Sequence, residues 1–225
     1  PQCVNCHEPR PSHEQAAKDY ATSIHGVSQK LGASGSATCA DCHSLSGRAE
    51  VHSMRPAKDP ESPVFKLNLP RTCAKCHSNA GLNKEYQMKY PDVASQYNDS
   101  IHGRALLKMG LIVAPSCNDC HGVHEIKRAV DRSSPIHKAS VAKTCGKCHV
   151  TVERIYNQSV HGQLLQQGAK NGPVCTDCHT AHEIEPPING HFKMASDKRC
   201  GRCHEDRLTR YRETYHGKAM ALGKP

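Results

Sequence analysis

Hydrophobic and polar residues do not alternate along this chain in the way that predicts a half-buried strand. Four segments that share the pattern Tyr-x-x-x-x-His-Gly are predicted to be helices instead. They cover residues 12–31, 94–109, 150–167 and 205–222. Each is followed by a glycine suited to a left-handed C-terminal cap, namely Gly32, Gly110, Gly168 and Gly223. We therefore expect a mainly α-helical fold with coil and little or no β-structure.

Large apolar residues are too few for an ordinary core. The 225 residues include no tryptophan and two phenylalanines, and the mean hydropathy is −0.67. No run of about 18 apolar residues predicts a membrane span. Two proline-containing segments, 52–71 and 125–143, are predicted to be irregular connectors. A chain this polar should not bury a sufficient core unaided, so we expect a non-protein component to supply it.

The cysteines identify that component. All fourteen lie in seven copies of Cys-x-x-Cys-His, the attachment signature of c-type haem, in which two thiols bond the haem vinyl groups and the histidine ligates the iron. The attachment cysteines are Cys3, Cys6, Cys39, Cys42, Cys73, Cys76, Cys117, Cys120, Cys145, Cys148, Cys175, Cys178, Cys200 and Cys203. The motif histidines are His7, His43, His77, His121, His149, His179 and His204. The sequence predicts seven covalent haems c, each with one iron, and a chain that is largely unfolded without them.

Two other interpretations of the cysteines compete with haem attachment. Cys-x-x-Cys pairs also form tetrahedral zinc sites, and fourteen cysteines could form a disulfide framework. Zinc ribbons do not require a histidine after every second cysteine, and disulfides do not require paired cysteines at all. Covalent haem is therefore the favoured interpretation.

The motifs alternate between two types. Those at Cys39, Cys117 and Cys175 have the form Cys-x-Asp-Cys-His and are called aspartate motifs here; those at Cys3, Cys73, Cys145 and Cys200 are non-aspartate motifs. This alternation predicts a single array over residues 1–225 of about 3.5 two-haem units. Unit 1 covers residues 1–72, unit 2 covers 73–144, unit 3 covers 145–199, and a partial unit 4 covers 200–225.

Ten histidines lie outside the motifs, and seven of them recur at matched positions. The helix histidines, which precede a glycine in the predicted helices, are His25, His102, His161 and His216. The loop histidines, which follow the aspartate motifs, are His52, His124 and His182. Seven matched histidines for seven haems predict two histidine ligands on every iron. We expect the other three, His13, His137 and His191, to lie on the surface or to form hydrogen bonds.

The loop histidines are expected to ligate a neighbouring haem. His124 and His182 follow their motif histidine by three residues, which is too short to carry the chain around a porphyrin to its opposite face. His52 is displaced by an insertion, so it departs from this spacing. The methionines Met54, Met88, Met109, Met194 and Met220 share no repeat position and are expected to pack rather than ligate.

Three further residue types recur in the units. The tyrosines Tyr20, Tyr97, Tyr156 and Tyr211 are expected to pack on a haem edge. The aspartates Asp41, Asp119 and Asp177 either tune a nearby iron by charge or occupy a solvated loop. The glycine after each helix histidine costs about 1 kcal/mol in a helix, and a close approach of the backbone to a haem face could explain it.

These motifs resemble those of the multihaem c-type cytochromes, notably periplasmic pentahaem and decahaem electron carriers. The resemblance implies bis-histidine haems packed as a chain that transfers electrons between redox proteins, such as other cytochromes, a quinol-oxidising membrane complex or a terminal reductase. Covalent haem attachment places the chain in the periplasm or outside the cell. The formal charge of +9 does not predict nucleic-acid binding, because haem propionates would offset it.

Two other functions stay open. A multihaem enzyme acting on nitrite, hydroxylamine or tetrathionate needs an iron with an open position, often marked by a lysine in place of the motif histidine. Here every motif ends in histidine, so we predict no catalytic residue. The chain could also be a subunit of a cytochrome filament or of a membrane-bound complex.

The repeat spacing also predicts a longer array. The next haem cysteine follows His25, His102 and His161 by 14, 15 and 14 residues. The same spacing after His216 falls just beyond Pro225. We therefore expect an eighth haem motif there and a processed or trimmed chain.

Overall fold

A computed structural model describes residues 11–47, 50 and 53–223. Within these ranges the chain is mostly helical (55%) and has no sheet, and strand-like pairing is limited to one isolated bridge between Ser44 and Met54. The predicted class, helix plus coil, is confirmed. None of the helices in the described ranges has the length and apolar character needed to cross a membrane.

The helices are short and follow one another along the chain. In order they are α1 (Pro11–Thr22), α2 (Ile24–Lys30), α3 (Cys39–His43), α4 (Leu69–His77), α5 (Ala80–Glu85), α6 (Val93–Asp99), α7 (Ile101–Gly103, continued by the π-helical turn Arg104–Lys108), α8 (Cys117–His121), α9 (Val141–Gly146), α10 (Val150–Gln158), α11 (Val160–Gln166), α12 (Cys175–His179), α13 (Gly190–Gly201), α14 (Glu205–Glu213) and α15 (Tyr215–Ala221).

Each helix predicted around a helix histidine is in fact two helices, which corrects the prediction of one continuous segment. The break falls on Ser100 in unit 2, where the backbone is extended with φ −66° and ψ 162°. The Ser100 hydroxyl donates to the Tyr97 carbonyl at 2.6 Å and accepts from the Gly103 N–H at 2.9 Å. The same two bonds form at Ser23, Ser159 and Thr214. A serine or threonine thus ends one helix and caps the next.

The glycine after each helix histidine is required by this break. A Cβ atom on Gly103 would collide with the Tyr97 carbonyl, and the equivalent collision is found at Gly26, Gly162 and Gly217. The close neighbour is the chain's own backbone, whereas the sequence had suggested a haem face. The cap glycines behave as predicted, with positive φ of 91°, 67°, 85° and 75° at Gly32, Gly110, Gly168 and Gly223.

The two connectors are more regular than predicted. In unit 1, successive backbone bonds run from Ser62 to Asp59 and from Phe65 to Ser62. In unit 2 the same three-residue turns link Ser134 to Asp131 and His137 to Ser134. Ser62 and Ser134 are fully buried. The connectors are therefore repeated spirals of turns that carry the chain from each aspartate motif to the next unit.

The protein interior is small. The hydrophobic side chains buried within the described ranges are Ala40, Leu106, Ala114, Val141, Ala142 and Val174, and among them only Leu106 is large and fully buried. Six serines are equally buried, and large apolar side chains such as Val150 and Ile155 are 65% and 61% exposed. This distribution matches the expectation that the polypeptide alone does not supply the core.

Candidate functional site

The three aspartate motifs each form one short helix, namely α3, α8 and α12. The aspartate accepts a 2.7 Å hydrogen bond from the backbone N–H of the residue that precedes the motif: Thr38 to Asp41, Ser116 to Asp119 and Val174 to Asp177. This bond caps the helix N-terminus, where a carboxylate is also favoured by the helix dipole. The sequence analysis predicted either charge tuning or a solvated loop position for these aspartates and did not predict the cap. The Thr-x-x-Asp and Ser-x-x-Asp spacings are the signal that indicates it.

The described non-aspartate motifs lie at the C-terminal ends of α4, α9 and α13. Helix α4 contains its whole motif, whereas α9 and α13 end within theirs. His77 is the last residue of α4, whereas His149 and His204 directly precede α10 and α14. In every described motif the two cysteines are three residues apart on helical or turn backbone, and this spacing places both thiols on the same side. The first motif, with Cys3, Cys6 and His7, and the loop histidine His52 lie outside the described residues.

Five pairs of histidines face each other across the structure. Each pair joins a motif histidine to a histidine outside the motifs, and in all five the ring centroids are 6.1 Å apart. The pairs are His77 with His25, His43 with His124, His149 with His102, His121 with His182, and His204 with His161. One separation recurring at five places indicates one common occupant between the rings.

That separation fits one metal ion held by two imidazoles. With each nitrogen about 2.0 Å from the metal and each ring centre about 1.1 Å further, two ligands on opposite sides have centroids about 6.2 Å apart. Among the described side chains, His, Cys, Asp and Glu form no cluster of three or more that could hold a metal ion. The donors thus come in pairs, which suits a porphyrin iron because the porphyrin supplies the other four ligands. The residues present fit a haem.

The pairs follow a constant shift along the chain. A helix histidine faces the non-aspartate motif of the following unit, as His102 of unit 2 faces His149 of unit 3. A loop histidine faces the aspartate motif of the preceding unit, as His182 of unit 3 faces His121 of unit 2. The loop histidines His124 and His182 therefore lie opposite a motif histidine of the preceding unit and not that of their own.

Burial favours the neutral form of several of the paired imidazoles. Desolvation is the largest of the effects that lower the pKa of His121 to about 4, and the charges of the neighbouring His182 and His77 lower it further. Burial likewise lowers the pKa of His25, His43, His77 and His102. A neutral imidazole is the form that ligates a metal, so these rings are ready to bind iron at neutral pH.

Neighbouring motifs of one unit meet through their first cysteines. A hydrogen bond to Cys117 raises the pKa of Cys73, and a hydrogen bond to Cys145 raises the pKa of Cys175. All twelve cysteines in the described ranges are free of disulfides. The thiol contacts thus bring together the attachment points of two haems rather than forming a disulfide framework.

Three of the four recurring tyrosines donate a hydrogen bond to a backbone carbonyl. Tyr97 donates to the Pro115 carbonyl at 2.7 Å and Tyr156 to the Pro173 carbonyl at 2.8 Å. Tyr20 donates to the Ala37 carbonyl at 2.9 Å. Each acceptor lies two residues before the first cysteine of an aspartate motif, so the tyrosine ties the broken helix to the motif of its own unit. The sequence had suggested packing on a haem edge.

A backbone-to-backbone hydrogen bond joins consecutive units, and no pattern in the sequence predicted it. The Ile24 N–H donates to the Ile126 carbonyl at 2.7 Å, and the Ile101 N–H donates to the Ile184 carbonyl at 2.8 Å. Each acceptor is two residues after a loop histidine. This bond holds the loop of one unit against the helix break of the unit before it.

Several predicted residues are outside these pairs. His179 stacks on Phe192 with centroids 5.0 Å apart, and His216 is exposed beside Tyr215. Of the three histidines expected to be non-ligating, His13 is exposed and His191 contacts Glu185 at 2.8 Å. His137 accepts from the Ala139 N–H at 3.2 Å.

Comparison with protein families matches part of the chain. Residues 130–205 match the family described as cytochrome c7 and related cytochrome c. The matched span contains three of the Cys-x-x-Cys-His motifs, those at Cys145, Cys175 and Cys200. The match supports a multihaem c-type cytochrome with covalent haem c, of a family that transfers electrons. Comparisons with curated proteins and with solved structures gave no match.

Proposed function

We propose that this chain conducts electrons through seven covalently bound haems c between redox partner proteins. The observation that carries the proposal is the set of five histidine pairs with one common centroid separation of 6.1 Å. Each pair holds one haem iron from both sides and leaves no position for a substrate. The haem supplies the redox chemistry, and the protein supplies position and environment.

The order of the sites favours transfer along the chain. The thiol contact between Cys73 and Cys117 brings the two haems of unit 2 side by side. The backbone bond from Ile101 to Ile184 and the pair His102 with His149 hold unit 2 against unit 3. The haems on the described motifs of units 2 and 3 therefore have neighbours within their unit and across the boundary between the two units. Such contacts let an electron pass in short steps.

Paired histidines also set the redox range. Methionine coordination raises the potential of a c-type haem, and histidine pairs lack that effect. We propose potentials mostly below that of the standard hydrogen electrode. Low potentials suit partners in anaerobic respiration, such as a quinol-oxidising membrane complex or a terminal reductase, in the periplasm or outside the cell.

Haem content and electron paramagnetic resonance test the proposal. The loaded chain should contain seven haems, and the irons of the five paired sites should give low-spin ferric signals. High-spin signals from those paired sites would contradict the electron-carrier function and favour a multihaem enzyme with open irons.

A further inference from the structure

The shift of the histidine pairs by one unit has a consequence for the haem on His179. Loop histidines face the aspartate motif of the preceding unit, as in His43 with His124 and His121 with His182. His179 ends the aspartate motif of unit 3, so the same shift requires the loop histidine of unit 4. Its own loop histidine, His182, already faces His121 at 6.1 Å.

Resting on the proposed function, we propose that the haem on Cys175 and Cys178 takes its sixth ligand from a following unit of the same repeat. The ligand is an imidazole placed as His124 and His182 are placed, three residues after an aspartate motif. The unit that supplies it is carried by the same polypeptide or by a second copy.

The surroundings of His179 leave this position to an outside ligand. Among the described histidines, none faces His179 at the separation found in the five pairs. The ring stacked on it belongs to Phe192, at 5.0 Å and 15°, and phenylalanine has no donor atom for iron. Phe192 is held in turn by the Arg199 guanidinium, 4.7 Å from its ring centroid.

The helix break of unit 3 supports the same conclusion independently. In units 1 and 2 the first N–H after the break donates to the loop of the following unit, at Ile126 and Ile184. The equivalent residue in unit 3 is Val160, whose N–H has no such acceptor in the described part of the chain. Val160 is 72% exposed, compared with 37% for Ile101. A following unit would cover this residue with the loop that also carries the ligand.

The tyrosine of unit 4 is consistent with the same proposal. Tyr20, Tyr97 and Tyr156 all donate to the carbonyl two residues before such a motif. The hydroxyl of Tyr211 makes no hydrogen bond among the described residues. His216, five residues later, is exposed in the same region. Unit 3 thus presents a motif histidine, His179, and unit 4 presents a helix histidine, His216, neither of which faces a histidine partner among the described residues.

Spin state tests this ligand assignment. In the haem-loaded 225-residue chain at low concentration, we expect the haem on His179 to be high-spin and to become low-spin when imidazole is added. In the variant Cys175→Ala/Cys178→Ala, the high-spin signal should fall by the equivalent of one haem per chain. The matched variant Cys117→Ala/Cys120→Ala should lose a low-spin haem and keep the signal.

An extended chain tests the source of the ligand. Adding a second copy of residues 171–190 directly after Pro225 places an aspartate motif 14 residues after His216, the spacing found after His161. Once haem analysis shows that the added motif is loaded, the haem on His179 should be low-spin at every concentration. The matched extension, in which the copy of His182 is alanine, should keep it high-spin. In the unextended chain, a high-spin fraction that falls with rising concentration would identify a second copy as the source.

Two results would overturn the assignment. One is a dilute, unextended chain whose haem on His179 is low-spin and does not respond to imidazole. The other is a loaded, extended chain in which the haem on His179 stays high-spin, identified as the part of the signal that Cys175→Ala/Cys178→Ala removes, since that result would mark an iron kept open for a substrate. Both results leave the five paired sites low-spin, so they are distinguishable from failure of the proposed electron transfer.

Discussion

Unit 2 and the part of unit 4 that the structure describes contain the same helix break in different surroundings. In unit 2, Tyr97 reaches Pro115, the Ile101 N–H reaches Ile184, and His102 faces His149. In unit 4 the break is built by the same local bonds, from Thr214 to Tyr211 and from Gly217 to Thr214. The three long-range contacts have no counterparts there among the described residues. Each unit therefore forms its helix break alone, whereas the pairing of ligands depends on the neighbouring units.

The largest effect is expected from removing a paired helix histidine. His102→Ala should convert the haem on His149 from low-spin to high-spin, and His161→Ala should do the same to the haem on His204, because each loses its sixth ligand. Electron paramagnetic resonance and the visible spectrum of the oxidised protein measure the change. The controls His137→Ala and His191→Ala should leave the spectrum unaltered.

His216→Ala sharpens this prediction. In the dilute 225-residue chain its exposed ring faces no motif histidine among the described residues, so the spectrum should not change. Equal losses at His102 and His216 would contradict the unit-shifted pairing.

The next largest effect is expected at the helix break itself. Gly103→Ala places a Cβ against the Tyr97 carbonyl, and overpacking of this kind typically lowers the free energy of unfolding by about 1–3 kcal/mol. Denaturant unfolding of the haem-loaded protein measures it. Gly190→Ala is the matched control, because a Cβ there meets nothing within 4 Å. Because alanine has the higher helix propensity, a similar loss at both glycines would show that the collision is not the cause.

A smaller effect is expected from the caps of the aspartate motifs. Asp177→Ala removes the acceptor for the Val174 N–H, and loss of a cap typically costs about 0.5–2 kcal/mol. Asp177→Asn should retain most of the stability, because its side-chain oxygen still accepts the bond. If charge tuning were the main role, both variants would instead shift the potential of the haem on His179 equally. A redox titration followed in parallel with unfolding separates the two roles.

The smallest effect is expected from single tyrosine hydroxyls. Tyr97→Phe should lower the free energy of unfolding by about 1 kcal/mol, the usual value of one hydrogen bond. Tyr211→Phe in the 225-residue chain should change it much less, because the Tyr211 hydroxyl has no partner among the described residues. Equal losses from the two variants would show that the bond from the hydroxyl to Pro115 does not account for the effect at Tyr97.

Much of the fold and of the candidate sites follows from local signals in the sequence. The Cys-x-x-Cys-His motifs, the α-plus-coil class and the cap glycines such as Gly110 were predictable because each depends on residues within one or two helical turns. The helix breaks and motif caps were also encoded locally, in Ser100 three residues before Gly103 and in Asp119 three residues after Ser116. They were missed because an apolar pattern continues across the break and because an aspartate beside a metal-binding motif suggests electrostatics first.

The partner of each histidine was decided by the tertiary structure alone. The sequence by itself determined which histidines are available, and their equal numbers predicted two ligands for every iron. It could not determine that His102 faces His149 or that His182 faces His121, because each pair joins residues 47 or 61 positions apart in different units. Those distances are bridged by the packing of one unit's loop on the helix break of the unit before it. The spacing of the histidines along the chain does not specify that packing. The pairing of histidines from consecutive units is therefore known only from the tertiary structure.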